Sequence, residues 1–334
     1  AGDVALLAKV SQANDAAAVE ALLRRPQDPN AVDSHGRTAL IAAASNGALE
    51  SVKLLASASA NLNKPCGRNN STALFTAACN GHVDVVRFLI EEDADKDVAA
   101  NNGATPVMVA AYRGHLETVR LLIERGVDKG KPNNAGSTPL FIASQNGHVN
   151  VVCLLIESGA DKDAPKSDGA TPVYIASQNG HLGVVRLLIE KGADKDAPRD
   201  DGATPVFIAS QNGHVDVVRL LIERGADKDA ARHDGGTPLF VASAHGHVDV
   251  VRLLLEAGAD KDRAMNNGAT PMYTASQNGH VGVVRLLIEK GADKDKAMND
   301  GETPVCIATV RRRLDVLHLL VEHGADKGER STKG

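Results

Sequence analysis

Seven histidines, His82, His115, His148, His181, His214, His247 and His280, recur at intervals of 33 residues. Imidazole is the commonest metal ligand among side chains, so a repeated histidine raises the question of a metal first. Zinc takes nitrogen at about 2.0 to 2.1 Å, so two ligands of one ion lie within about 4 Å of each other. Equivalent positions of stacked helical units stand about 8 to 10 Å apart. The ladder therefore cannot chelate, and bracing a turn is its expected role. Cys66, Cys79, Cys153 and Cys306 form no Cys-x-x-Cys pair, and no His-Glu-x-x-His spacing occurs. Carboxylates recur with the same period, whereas an active site needs one acid and one base held in different environments. The glycines form neither a Gly-x-Gly-x-x-Gly nor a Walker loop. The expectation is a non-catalytic chain with no cofactor and no metal.

The elements that carry these residues are written in the same period. "SQNGH" stands at 144–148, 177–181, 210–214 and 276–280, with the variant "SAHGH" at Ser243. Threonines ahead of a Pro-apolar pair keep time with it at Thr105, Thr138, Thr171, Thr204, Thr237, Thr270 and Thr303, with Thr38 and Thr72 upstream as "TAL" variants. One extra residue falls between Thr38 and Thr72. A fixed period of this size means stacked units. In the unit 201–230, Thr204 and Pro205 give an N-cap and a first-turn proline, so a helix starts there and runs to Asn212 and Gly213. A second helix from about Val215 carries Val215, Val218 and Ile222 on one face, Val217 and Leu221 beside them, and a polar stripe of Asp216, Arg219 and Glu223. Neither helix has the roughly 12 to 15 residues that an isolated helix needs, so neighbouring units must cover it. The Asp, Gly and Pro between helix pairs predict an extended hairpin.

Composition bounds the rest. Of 334 residues 43% are apolar but only 2% aromatic, and Trp is absent, so the core must be built from Ala, Val, Leu and Ile. No apolar run reaches bilayer length and the N-terminus lacks a signal-peptide layout, which predicts a chain not inserted in membranes. Scattered cysteines predict a reducing, cytoplasmic or nuclear, compartment. The sequons in "NNST" at Asn69 and Asn70 are read as accidental. A net charge of −5 and one short basic cluster, Arg311–Arg313, argue against nucleic acid. The start at Ala rather than Met is read as an excised or processed fragment.

The pattern "DGxTPLxxAxxxGHxxVVxLLIExGAD" resembles the ankyrin repeat, over about residues 3 to 328 and nine threonine-headed units. The resemblance implies an all-α repeat solenoid of stacked helix-turn-helix pairs with β-hairpin-like loops. Its expected division is an N-terminal capping pair at 1–30, an array at 31–302, and a capping repeat with a short tail at 303–334, one continuous domain. In the last unit Arg312 and Arg313 replace the expected Gly and His. It further implies a concave side of hairpin tips and first helices that binds other proteins.

Two departures from the family pattern stand out. The family's His after Thr-Pro-Leu is replaced by Ile41, Phe75, Met108, Phe141, Tyr174, Phe207, Phe240, Tyr273 and Cys306, which puts six of the eight aromatics in one column. Packing between first helices is the favoured reading, and a ring ladder open to a ligand the other. The second departure is a Lys between aspartates at Lys96, Lys129, Lys162, Lys195, Lys228, Lys261, Lys294 and Lys327, read as a self-neutralising solvated edge.

Function is then sought where the frame stays constant and the surface varies. The hairpin tips change from Lys166, Arg199 and Arg232 to Met265 and Met298, with His233 beside Arg232. First helices end in Tyr112 with Arg113, Gln145 with Asn146, Gln178 with Asn179, Gln211 with Asn212, then His245, and Gln277 with Asn278. These side chains, with the serines of "SQNGH", are expected to line a groove. Recent duplication of a neutral surface and a ladder that reads an extended peptide both account for the Gln-Asn pairs. The expected function is a monomeric scaffold binding a protein or peptide, an acidic segment with an apolar anchor suiting the tips. A targeting or regulatory part of a larger enzyme or channel, and a spacer or engineered repeat protein, are the alternatives.

Overall fold

The computed structural model describes residues 2–25 and 28–326, which contain twenty α-helices and no β-strand. Lys327 and the rest of the expected C-terminal tail lie outside the described residues. The chain divides into two units, Ala1–Ser167 and Asp168–Gly334. In the first, the helices Gly2–Gln12, Ala39–Ser45, Ala73–Asn80, Pro106–Arg113 and Pro139–Gln145 pack each on the next, and each also packs on the helix that follows it in the chain. In the second, Pro172–Gln178, Pro205–Gln211, Pro238–His245, Pro271–Asn278 and Pro304–Val310 do the same. Among the described residues no helix is long and apolar enough to cross a membrane.

One repeat shows why these residues fold this way. Thr204 is extended at φ −92°, ψ 167°, and its hydroxyl accepts the Phe207 amide, so the helix Pro205–Gln211 starts capped with proline in its first turn. Asn212 closes it, and Gly213 at φ +75° turns the chain into the helix Val215–Glu223. Val217, Val218, Leu220 and Leu221 are buried, whereas Val215 and Ile222 are half-exposed. The deepest stripe is thus shifted from the expected Val215–Val218–Ile222 face, because neighbouring second helices grip the flank that carries Val217 and Leu221. Thr105 differs from the other capping threonines: its hydroxyl makes no cap bond and is buried without a partner.

The predicted hairpins are reduced to tight tips. Arg199 N–H bonds Ala203 O at 2.9 Å and Arg232 N–H bonds Gly236 O at 2.9 Å, pairings too short to form strands. Isolated bridges occur at Val32–Thr38 and Cys66–Ser71. Successive tips are joined by single backbone bonds, Asp200 N–H to Asp168 O at 3.1 Å and His233 N–H to Asp201 O at 3.0 Å among them.

The histidines brace neighbouring repeats rather than their own turn. His82 Nε2 lies 3.0 Å from Ser45 O, His115 Nε2 3.1 Å from Cys79 O, and His247 Nε2 2.9 Å from Gln211 O. The carbonyl can only accept, so Nε2 carries the proton. Each ring rests on the preceding glycine turn; a Cβ on Gly213 would meet His247 Nδ1 at 2.7 Å. Glycine is needed there twice, for its positive φ and for the ring above it. Arg313 substitutes for histidine, its Nε donating to Gln277 O at 3.0 Å, and Arg312 takes the glycine's left-handed conformation at φ +54°.

A second ladder runs through the Asp-Lys-Asp loops. Asp196 accepts the amide of Asp227, Asp229 that of Asp260, and Asp262 that of Asp293, at 2.8 to 3.0 Å. These carboxylates therefore join repeats besides pairing with the lysines, as Lys228 does with Asp229 at 3.3 Å. Gly130 offers no carboxylate to the amide of Asp161, which leaves a gap in the first unit's ladder.

Candidate protein-binding face

The tips and the ends of the first helices carry the candidate residues. In the first unit, Tyr112 at the end of Pro106–Arg113 is 49% exposed, and the Arg113 guanidinium carbon stands 5.4 Å from its ring centroid. Gln145 is exposed, while Asn146 is half-buried and its amide donates to Ile142 O at 2.7 Å, closing its own helix. Lys166, at the next tip, is half-buried.

In the second unit the arginines differ from the basic, outward-reaching tips expected. Arg199 Nε donates to Asp201 Oδ1 at 3.1 Å and its Nη2 to Oδ2, while its guanidinium carbon sits 5.7 Å from the centroid of the Tyr174 ring in the preceding repeat. Arg232 likewise donates through Nε and Nη2 to Asp234, here both to Oδ2, and its guanidinium carbon sits 5.5 Å from the Phe207 ring centroid. The hydrogen bonds from Arg199 and Arg232 hold the Asp201 and Asp234 carboxyls below the usual carboxylate range, against the opposing effect of burial. Both arginines act as inter-repeat clamps whose charge is matched locally. An acid two residues after each arginine was the signal for this, and it is plain in "RDD" and "RHD".

Met265 and Met298 take the arginines' place further on. With Phe240 they pack against a buried cluster of Ala269, Tyr273 and Ile307. Burial, with the hydrogen bond that the hydroxyl donates to Glu302, pushes the Tyr273 pKa well up. His233 is exposed at its tip. Exposed His245 bonds Val241 O through Nδ1 at 2.9 Å and stacks on His247, ring centroids 5.9 Å apart.

The Gln-Asn pairs divide their labour. Asn212 and Asn278 each donate to a carbonyl of the preceding repeat, Gln178 O and Ala244 O, both at 2.8 Å, so these asparagines stitch repeats together. Gln178, Gln211 and Gln277 are half-buried, and Asn179 is exposed. The serines do not line the groove: Ser144, Ser177, Ser210, Ser243 and Ser276 are fully buried with hydroxyls unpartnered. The first helix is covered on both sides by its neighbours, which encloses the position six residues after the capping threonine. The ring column is likewise closed. Phe141, Tyr174, Phe207 and Tyr273 are buried and Phe75 and Phe240 half-buried, so the rings serve packing. Among the described residues no group of three or more His, Cys, Asp or Glu side chains is arranged to hold a metal ion.

The family model for "Ankyrin repeats (3 copies)" matches residues 6–100, 92–166, 162–232, 196–265 and 260–331, tiling the array just described. The chain belongs to the ankyrin-repeat family. A search of curated proteins finds no match. Ankyrin repeats are generally protein–protein interaction modules, and this one presents exposed, varied side chains on a frame whose interior is held constant.

Proposed function

We propose that this ankyrin array is a non-catalytic interaction module that engages a protein partner through the tip-and-first-helix faces of its units, working as a monomer in a reducing compartment. The observation that carries the reading is Tyr112, half out in solvent with Arg113 laid against its ring. An exposed tyrosine is held at little entropic cost, and burying it against a partner gains area that burying a glutamine does not. Tyr and Arg are the residue types in which binding energy concentrates. On the same unit's face stand Gln145, Asn146 and Lys166. On the second unit's face stand Gln178, Asn179, Gln211, Asn212, His233, His245, Met265, Gln277 and Asn278, with Arg199 and Arg232 shaping the tips. Cys66, Cys79, Cys153 and Cys306 are thiols rather than disulfide sulfurs, which supports the reducing compartment. Pull-down from cytosolic extract with the full chain tests the reading: Tyr112→Ala with Arg113→Ala is expected to lose a partner that Arg120→Ala, exposed on the second helix, retains. Identical captures by the two variants would sink it.

A further inference from the structure

The second unit holds a patch unlike the rest of its face. Leu314 is 72% and Val310 69% exposed, the most exposed large apolar side chains among the described residues. They lie in one run, Val310 at the end of Pro304–Val310 and Leu314 at the start of Leu314–Glu322, with Arg311, Arg312 and Arg313 between them. Arg313 is committed to Gln277 O. Arg311 and Arg312 are exposed and form no ion pair or side-chain hydrogen bond among the described residues, in contrast to the clamped Arg199 and Arg232. The sole acid in the run is Asp315.

Leu314 keeps the apolar residue that its position has in earlier repeats, such as Val215, Val248 and Val281, but the two positions at the end of the first helix change. Val310 stands where Gln178, Gln211 and Gln277 stand, and Arg311 where Asn212 and Asn278 tie back to the preceding repeat. Putting Val310 at an exposed position where three central repeats carry glutamine, next to exposed Leu314, adds a solubility liability that a partner's cover would remove. The exchange trades a hydrogen-bonding surface for an apolar one ringed by uncompensated positive charge. Guanidinium recognises carboxylate through paired N–H donors, and the two aliphatic side chains offer a seat for one bulky apolar group.

We infer that Val310, Arg311, Arg312 and Leu314 form a docking site for a protein segment that carries an apolar anchor flanked by carboxylates. This deepens the protein-binding reading and rests on it, but moves the recognition of acid from the central tips to this repeat. The four side chains project from a turn fixed by Arg313 and by the left-handed backbone of Arg312, so the site needs no rearrangement to form.

The test is fluorescence polarisation of the full chain with a labelled synthetic peptide in which one Phe is flanked on both sides by Glu. Control peptides carry Ala for Phe, or Lys for every Glu. The Glu–Phe peptide is expected to bind best. Val310→Gln with Arg311→Asn, which installs the residues of the central repeats, is expected to weaken it at least about tenfold, and Arg199→Gln with Arg232→Gln to change it less than about twofold. Thermal melts confirm that the substituted surface residues leave the fold intact. Equal binding of the three peptides, or unchanged binding to the Val310→Gln/Arg311→Asn chain, overturns the inference. So does light scattering that finds a wild-type dimer which this double variant abolishes, since a second copy then covers the patch. If the peptide result is negative while capture still depends on Tyr112, this site alone falls; loss of both dependences removes the general reading too.

Discussion

Tyr174 and Tyr273 occupy the same place in repeats three steps apart, yet their surroundings are unlike. Tyr174 lies under the Arg199–Asp201 clamp, and its hydroxyl is buried with no partner. Tyr273 lies under Met265 and Met298, and its hydroxyl donates a hydrogen bond to Glu302. The cause is one position in the following repeat, Ala203 in the first case and Glu302 in the second. Tip residues that vary from repeat to repeat therefore decide how the ring beneath them is satisfied. A surface position and a core position form one unit of design, and neither is understood by itself.

The frame shared by the two tyrosines sets the largest effect. Leu221→Ala removes a fully buried side chain gripped by neighbouring helices, and guanidinium melts are expected to show a loss of about 2 to 5 kcal/mol. A negligible loss would mean that the second helices do not hold the stack and that the comparison has no common baseline. Next comes the contrast itself. Tyr273→Phe deletes a hydrogen bond to a carboxylate and is expected to cost about 1.5 kcal/mol, while Tyr174→Phe deletes a hydroxyl that has no partner and is expected to be neutral or stabilising. Equal costs in the two melts would erase the distinction.

The smallest effect separates clamped tips from methionine tips by pH. The Asp201 and Asp234 carboxyls titrate below their unfolded value, so their contribution is present above the ordinary carboxylate pKa and is lost as pH falls through the depressed one. Hydrogen-exchange protection of the 199–203 and 232–236 tips is therefore expected to drop in acid relative to 265–269. Parallel loss at all three tips would show that the clamps carry no separate share.

Much of this molecule was legible because its determinants are local. Thr204 and Pro205 announce a helix start within two residues, and Gly213 with His214 announces a turn. The spacing of 33 then extends one repeat to the array. What was hidden depends on how one repeat lies against the next. The ring under Arg199 belongs to the preceding repeat, and only the stagger between repeats brings the two together. The burial of Ser210 follows from cover on both sides of a seven-residue helix, a fact that its polar neighbours Gln211 and Asn212 disguise. Arg199 could be placed at a tip from sequence, and the acid two residues on, Asp201, was the local signal that its guanidinium is engaged, whereas the ring beneath it was not legible.

The histidine and aspartate ladders have a further consequence. Within each unit a histidine-bearing repeat gives one imidazole N–H to a carbonyl of the repeat before it, and, Gly130 apart, a loop carboxylate accepts an amide of the repeat after it. Within each unit the junctions that carry both fittings are alike and head to tail, so a repeat copied between two of them leaves no dangling donor. Under such a rule the length of the array is free to change by whole units during evolution, while the tip and groove residues of each copy are left to diverge.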